Sequence, residues 1–138
     1  MDVVRLSETD AERRDGSVFE TQVHVKPGFE DPFDGNRRLS TNEVFFGPGE
    51  RTAVHEHTIR QLLSVTGVEG LIVSGGKRLE VGAGDLVSIP AEERHWHGAA
   101  PNSPLGHVSI VVKDDDNDGT VAVERPERSP SEWRPQNQ

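Results

Sequence analysis

Gly49-Glu50-Arg51-Thr52-Ala53-Val54-His55-Glu56-His57-Thr58-Ile59-Arg60-Gln61 combines a tight turn, two histidines at strand spacing and an amide. Pro48 precedes it, and Pro48-Gly49 is a pair suited to a tight type II turn that leads into an extended segment. Side chains on a strand alternate between faces, so His55 and His57, two residues apart, point the same way. Gln61 shares their parity if the strand resumes after a short bend at residues 58–60. Arg94-His95-Trp96-His97-Gly98 repeats the arrangement further along, with two histidines on one face and a tryptophan on the other. A divalent ion of borderline hardness is suited by imidazole nitrogens completed by an oxygen donor, and inward faces of several strands can converge on it.

On either side, the flanking sequence breaks into short β-prone runs divided by glycine and proline. Residues 42–46, 51–57, 61–66, 70–74, 78–81, 86–90 and 107–112 read as strands, with Gly75-Gly76 as a hairpin signal and Gly82-Ala83-Gly84-Asp85 as a turn. An earlier strand is expected in 16–25, followed by an irregular segment through residue 38 because Pro27-Gly28 and Pro32 interrupt it. Residues 1–15 suggest a short surface helix or an ordered arm, and 120–123 a last strand before a polar, proline-rich tail. Many short strands with turns every eight to twelve residues and no helical periodicity describe an all-β sandwich or barrel.

The 138-residue chain carries 24 acidic and 15 basic residues, a formal charge of -9. That field repels phosphate backbones and anionic lipid, which argues against a nucleic-acid partner. There is no cysteine, so a metal here must rest on histidine, carboxylate or amide. No apolar run is long enough to span a membrane and the first residues do not read as a leader, so a cytoplasmic protein is the expectation. The length suits one domain, 1–138, with a barrel core at about 39–113, an N-terminal arm at 1–15 and a C-terminal tail at 124–138.

The spacing resembles the two motifs of the cupins. Gly49, five residues, His55-Glu56-His57, three residues and Gln61, followed by Gly67, is similar to the first; Gly84, five residues, Pro90, four residues and His95 is similar to the second. The resemblance implies a cupin jelly-roll β-barrel, a double-sheet sandwich, over residues 40–112. It also implies one divalent metal ion on His55, His57, Gln61 and His95. Three positions depart from the usual pattern: Gln61 stands in place of glutamate, Glu92 in place of glycine and Ala99 in place of asparagine. A neutral amide leaves the site one unit more positive than a carboxylate would, weakening metal retention and sharpening Lewis acidity.

The three-histidine, one-glutamine set, with residues 48–55 and 95–101, further resembles the manganese-dependent hydroxynitrile lyases of this fold. Manganese is therefore the expected ion, with iron, zinc, nickel or cobalt as alternatives. The implied reaction is cleavage of a cyanohydrin, with the metal as Lewis acid and His107 as general base. Thr52 would hydrogen-bond the substrate oxygen, and Asn42, Val44, His97 and Val111 would shape the pocket. Trp96, by strand parity, is expected to pack away from it. A metal-dependent dioxygenase and a non-enzymatic binder of small ligands are the competing readings. Cupins of this size pair through N-terminal strands, which implies a homodimer or homotetramer using residues 16–25.

Overall fold

The computed structural model describes residues 1–16 and 18–114, and the backbone of 120–124. It is nearly all strand: β1 (Glu12–Gly16), β2 (Phe19–Asp34), β3 (Arg37–Phe46), β4 (Val54–His57), β5 (Gln61–Ser74), β6 (Lys77–Gly82), β7 (Leu86–Ile89), β8 (Trp96–Ala99), β9 (Leu105–Asp114) and β10 (Thr120–Glu124). One sheet runs in the order β1-β2-β3-β9-β5-β6, with β7 and β8 also paired to β5, and a two-stranded sheet joins β4 to β10. Among the described residues no helix is long and apolar enough to cross a membrane.

Strand β5 turns the corner of the barrel. Its first half, Gln61 to Ser64, lies between β7 and β9. Its second half, Gly70 to Val73, lies between β6 and β8. A register shift between Val65 and Gly67 separates the two halves, and a bulge of this kind bends a strand so that it can serve two sheets. The separate strands expected at 61–66 and 70–74 are therefore one bent strand. Gly75 and Gly76, both with positive φ (55° and 80°), close the hairpin into β6 as the expected two-residue turn.

The N-terminal third differs from the expectation more. Residues 26–38 are not irregular: β2 continues to Asp34 and returns as β3 through a turn at Gly35. Strand β1 pairs with β2 only as far as Val25, so beyond that point β2 is an edge. An edge strand tolerates proline because the missing N–H need not serve a ladder, and register shifts fall at Pro27 and Pro32. The first residues form a single 3₁₀ turn, Leu6–Glu8, and then β1, where a surface helix or an arm was expected.

The core follows the period of two. Val23 and Val25, Val44 and Phe46, and Leu63 and Val65 are buried in one cluster with Ile72, Val81, Ile89, Ala99 and Leu105. Trp96 and Leu71 form a second cluster with Val54 and Val73. Val54 and Trp96 alternate with the histidines along their strands, so this second cluster holds the backs of the histidine-bearing segments and leaves the rings facing inward. The Arg51 guanidinium caps the Trp96 ring at 5.2 Å and pairs with Glu20 at 3.0 Å, fixing the entry to β4.

Candidate metal centre and cavity

The two histidine motifs meet through the main chain. His55 N donates to His95 O and His95 N donates to His55 O, each at 2.9 Å, and Thr52 N donates to His97 O at 2.9 Å. These contacts draw the approach to β8 against the approach to β4, and they bring the rings together. His55 and His95 have centroids 4.4 Å apart, His55 and His57 4.9 Å, and His95 and His97 stack at 5.6 Å.

The tightest group is His55, His95 and His97, each offering a nitrogen within 4.8 Å of the others. This is a different third imidazole from the one that the motif resemblance implies. His57 borders the same space, 5.8 Å from His95 between ring centroids. The sequence places both on the correct face; it does not rank them, because parity carries no distance.

Each ring of the central pair is held by one nitrogen. His55 Nδ1–H donates to Ala53 O and His95 Nδ1–H donates to Glu93 O, both at 2.8 Å. With the proton on Nδ1, the Nε2 lone pair is the free one, the arrangement that prepares an imidazole for a metal. His95 Nε2 is buried with no hydrogen-bond partner, and so is Gln61 Oε1. Gln61 Nε2 donates to Ser109 Oγ at 2.9 Å, which leaves the oxygen as the unserved end of the amide. Orphaned buried acceptors are costly, and a cation among them removes that cost. The donor set fits a divalent ion.

The same environment keeps the imidazoles neutral. Burial, reinforced by its histidine neighbours, pushes His55 down to about 3. Burial lowers His95, and still more so His97, which lies among four other imidazoles. His107 is pushed down by burial to about 4. Uncharged rings are what metal binding and proton acceptance both require.

Beside these rings lies a cavity of about 120 Å³. Asn42, Val44, Thr52, His55, His57, Gln61, His97 and His107, all singled out in the sequence, line it. Thr52 is buried and its Oγ1 accepts the amide N–H of His97 at 3.1 Å, so the hydroxyl proton remains to be donated. His107 Nε2 meets His97 Nδ1 at 3.2 Å. Val111 is not part of the wall, although the sequence put it there: it pairs with Ser40 and Gln61 further along β9, and Ser109 closes the cavity instead. Ser109 is two residues from His107 on the same face of β9, a signal that strand parity alone could have supplied.

Phe19 and Arg14 also line the cavity and were not anticipated, since β1 and the start of β2 come from a segment with weak patterning. Trp96 packs outside it, as its parity implied. Glu92, the residue standing in place of glycine, has φ of 65°. Its N–H donates to His57 O at 2.7 Å, which explains why this turn favours a residue free to adopt the left-handed region.

No family model matches the chain. An (R)-mandelonitrile lyase from Granulicella tundricola is 33% identical over 111 residues, covering 80% of this chain and 83% of that protein. Among solved structures, a cupin-like protein from Thermotoga maritima is 34% identical, covers 80% of each chain and superposes with a TM-score of 0.61. A cupin 2 conserved barrel domain protein from Rhodopseudomonas palustris superposes with a TM-score of 0.66 at 19% identity, over 86% of this chain and 78% of that one, a likeness of fold. Identity of a third, sustained across four fifths of a chain that shares this barrel, is more than fold convergence produces, and the chain belongs to the cupin family.

Proposed function

We propose that this protein is a metal-dependent lyase acting on a small cyanohydrin-like hydroxy compound. The observation that carries the reading is the cavity itself: a small chamber lined by His107 and Thr52 together with His55, His57, His97 and Gln61, whose Oε1 is buried without a hydrogen-bond partner. The identity of a third to an (R)-mandelonitrile lyase supports the choice of reaction. His55, His57, Gln61 and His95 would hold the ion, and manganese is the ion proposed. When bound, the ion supplies Lewis acidity beside the substrate oxygen.

The chain's own residues do the rest. His107, kept neutral by burial, accepts the hydroxyl proton of the cyanohydrin. The carbon–carbon bond to the nitrile breaks, its electron pair leaves as cyanide, and the oxygen becomes the carbonyl of an aldehyde or ketone. Thr52 donates a hydrogen bond to that oxygen and keeps its proton. Val44 and Phe19 supply an apolar wall.

A second arrangement of the centre, with His97 in place of His57, is favoured by the close grouping of His55, His95 and His97. The test of the reading is cyanide release from mandelonitrile by protein loaded with Mn²⁺, measured beside the metal-stripped protein. Release that depends on the metal and is lost in His107→Ala supports it. Stoichiometric metal uptake with no cyanide release from any cyanohydrin, and oxygen consumption with iron instead, would overturn the lyase in favour of a dioxygenase.

A further inference from the structure

Ser109 is a cavity residue to which neither motif assigns a part. It projects from β9 two pairs along the ladder from Gln61 and on the same face: across β5 and β9, Gln61 is paired with Val111 and Leu63 with Ser109, so Gln61 and Ser109 are diagonal neighbours. Gln61 Nε2 donates to Ser109 Oγ at 2.9 Å, while Gln61 Oε1 is buried without a partner.

A carboxamide has two ends of nearly equal size, and only one of them can ligate. The NH₂ lone pair is delocalised, so its nitrogen is a donor and not a ligand. Turning the oxygen toward a cation commits the NH₂ group to the opposite side, and Gln61 is itself buried. An acceptor must stand there, or a buried donor goes unsatisfied. Ser109 Oγ is that acceptor.

We propose that Ser109 is the positioning residue of the metal centre: by accepting from Gln61 Nε2 it holds the amide with its oxygen toward the buried imidazoles, and so sets the affinity for the ion. The proposal rests on the reading of Gln61 as an oxygen donor to that ion. It also gives a physical account of how the site works with glutamine where glutamate is usual. A carboxylate presents oxygen at either end and has no donor to satisfy; an amide requires a partner behind it.

The test is a comparison of Mn²⁺ dissociation constants by chelator competition for Ser109→Thr and Ser109→Val. Both add the same methyl group to a strand position and differ from one another only in the hydroxyl, so folding and packing effects cancel. With Gln61 present, Ser109→Val is expected to bind Mn²⁺ about tenfold more weakly than Ser109→Thr, the usual cost of removing a group that orients a ligand. With Gln61→Glu in place, the difference is expected to close or to reverse. Equal affinities with Gln61 present, or the same tenfold gap in both backgrounds, would overturn the proposal and leave Ser109 a packing residue. Gln61→Leu separates the two layers of the argument. If it binds Mn²⁺ as the unaltered protein does, Gln61 is not a ligand and the proposal falls with that reading. If it binds weakly while the two Ser109 variants are alike, the ligand stands and Ser109 alone is dismissed.

Discussion

His107 Nε2 lies 3.2 Å from His97 Nδ1, and both rings are buried. At that separation one nitrogen of the pair carries a proton and the other accepts it, so His97 sets which nitrogen of His107 is bare. His107→Ala removes the proton acceptor without touching the main-chain ties between the histidine segments. We predict a loss of mandelonitrile turnover of roughly a hundredfold or more with metal content unchanged, measured by cyanide release and elemental analysis on the same preparation.

The competition between His57 and His97 for the ion is open to a direct experiment. If His55, His57, Gln61 and His95 form the centre, His57→Ala loses most of its metal while His97→Ala keeps it and loses activity. The reverse pattern of metal content would establish the compact trio instead. Metal analysis after dialysis against a weak chelator decides between the two.

Depressed histidine pKa values fix the sign of the pH dependence for the metal-free protein. His107 titrates at about 4 in the folded chain against an ordinary value of 6.5, so below pH 6.5 the unfolded chain takes up a proton that the folded one refuses. Stability present above pH 6.5 is therefore lost as pH falls toward 4, by roughly 3 kcal/mol from this group. His55, His95 and His97 are shifted in the same direction and add to the loss. Urea midpoints of stripped protein should fall steeply between pH 7 and 5, and saturating Mn²⁺ at pH 7 should raise the midpoint by mass action.

Glu92 is an exposed residue at φ of 65°, where a side chain costs about 1 kcal/mol or more. Glu92→Gly should stabilise the protein by about 0.5–1 kcal/mol, because relief of that strain exceeds the added freedom of the unfolded chain. Glu92→Ala is the control and should give no gain. Thermal unfolding of the three proteins checks it.

Gly70 carries the opposite prediction. A Cβ there would lie 2.6 Å from Gly98 O and 2.7 Å from a Leu105 methyl, both fixed by neighbouring strands. Gly70→Ala should cost about 1–3 kcal/mol through forced separation of β5 from β8. An unchanged melting temperature would show that the two strands can part freely.

How far the sequence could be read divides along the nature of the signal. Period-two alternation set His55 beside His57 and turned Trp96 away from them. Turn chemistry located the Gly75-Gly76 hairpin. Neither rule could show that β5 is one bent strand, because a bulge is a property of pairing with two partners. Prolines misled for a related reason: Pro27 and Pro32 read as breaks, and only the place of β2 at the edge of the sheet makes them harmless. In the site, the inward faces were legible and the distances were not. Hence Ser109 and Arg14 were missed, Val111 was included, and the closeness of His97 to His55 emerged only from the fold.

The short strand β4, which carries His55 and His57, takes its ladder from β10, with His55 opposite Val123 and His57 opposite Thr120. Two of the imidazoles thus hang from a segment anchored more than sixty positions downstream, beyond both motifs. A blueprint that keeps every named side chain and discards that distant anchor retains the ingredients of the site without its scaffold. Transplanting this centre, or trimming the chain around it, must carry residues 120–124 along for the backbone ladder they supply.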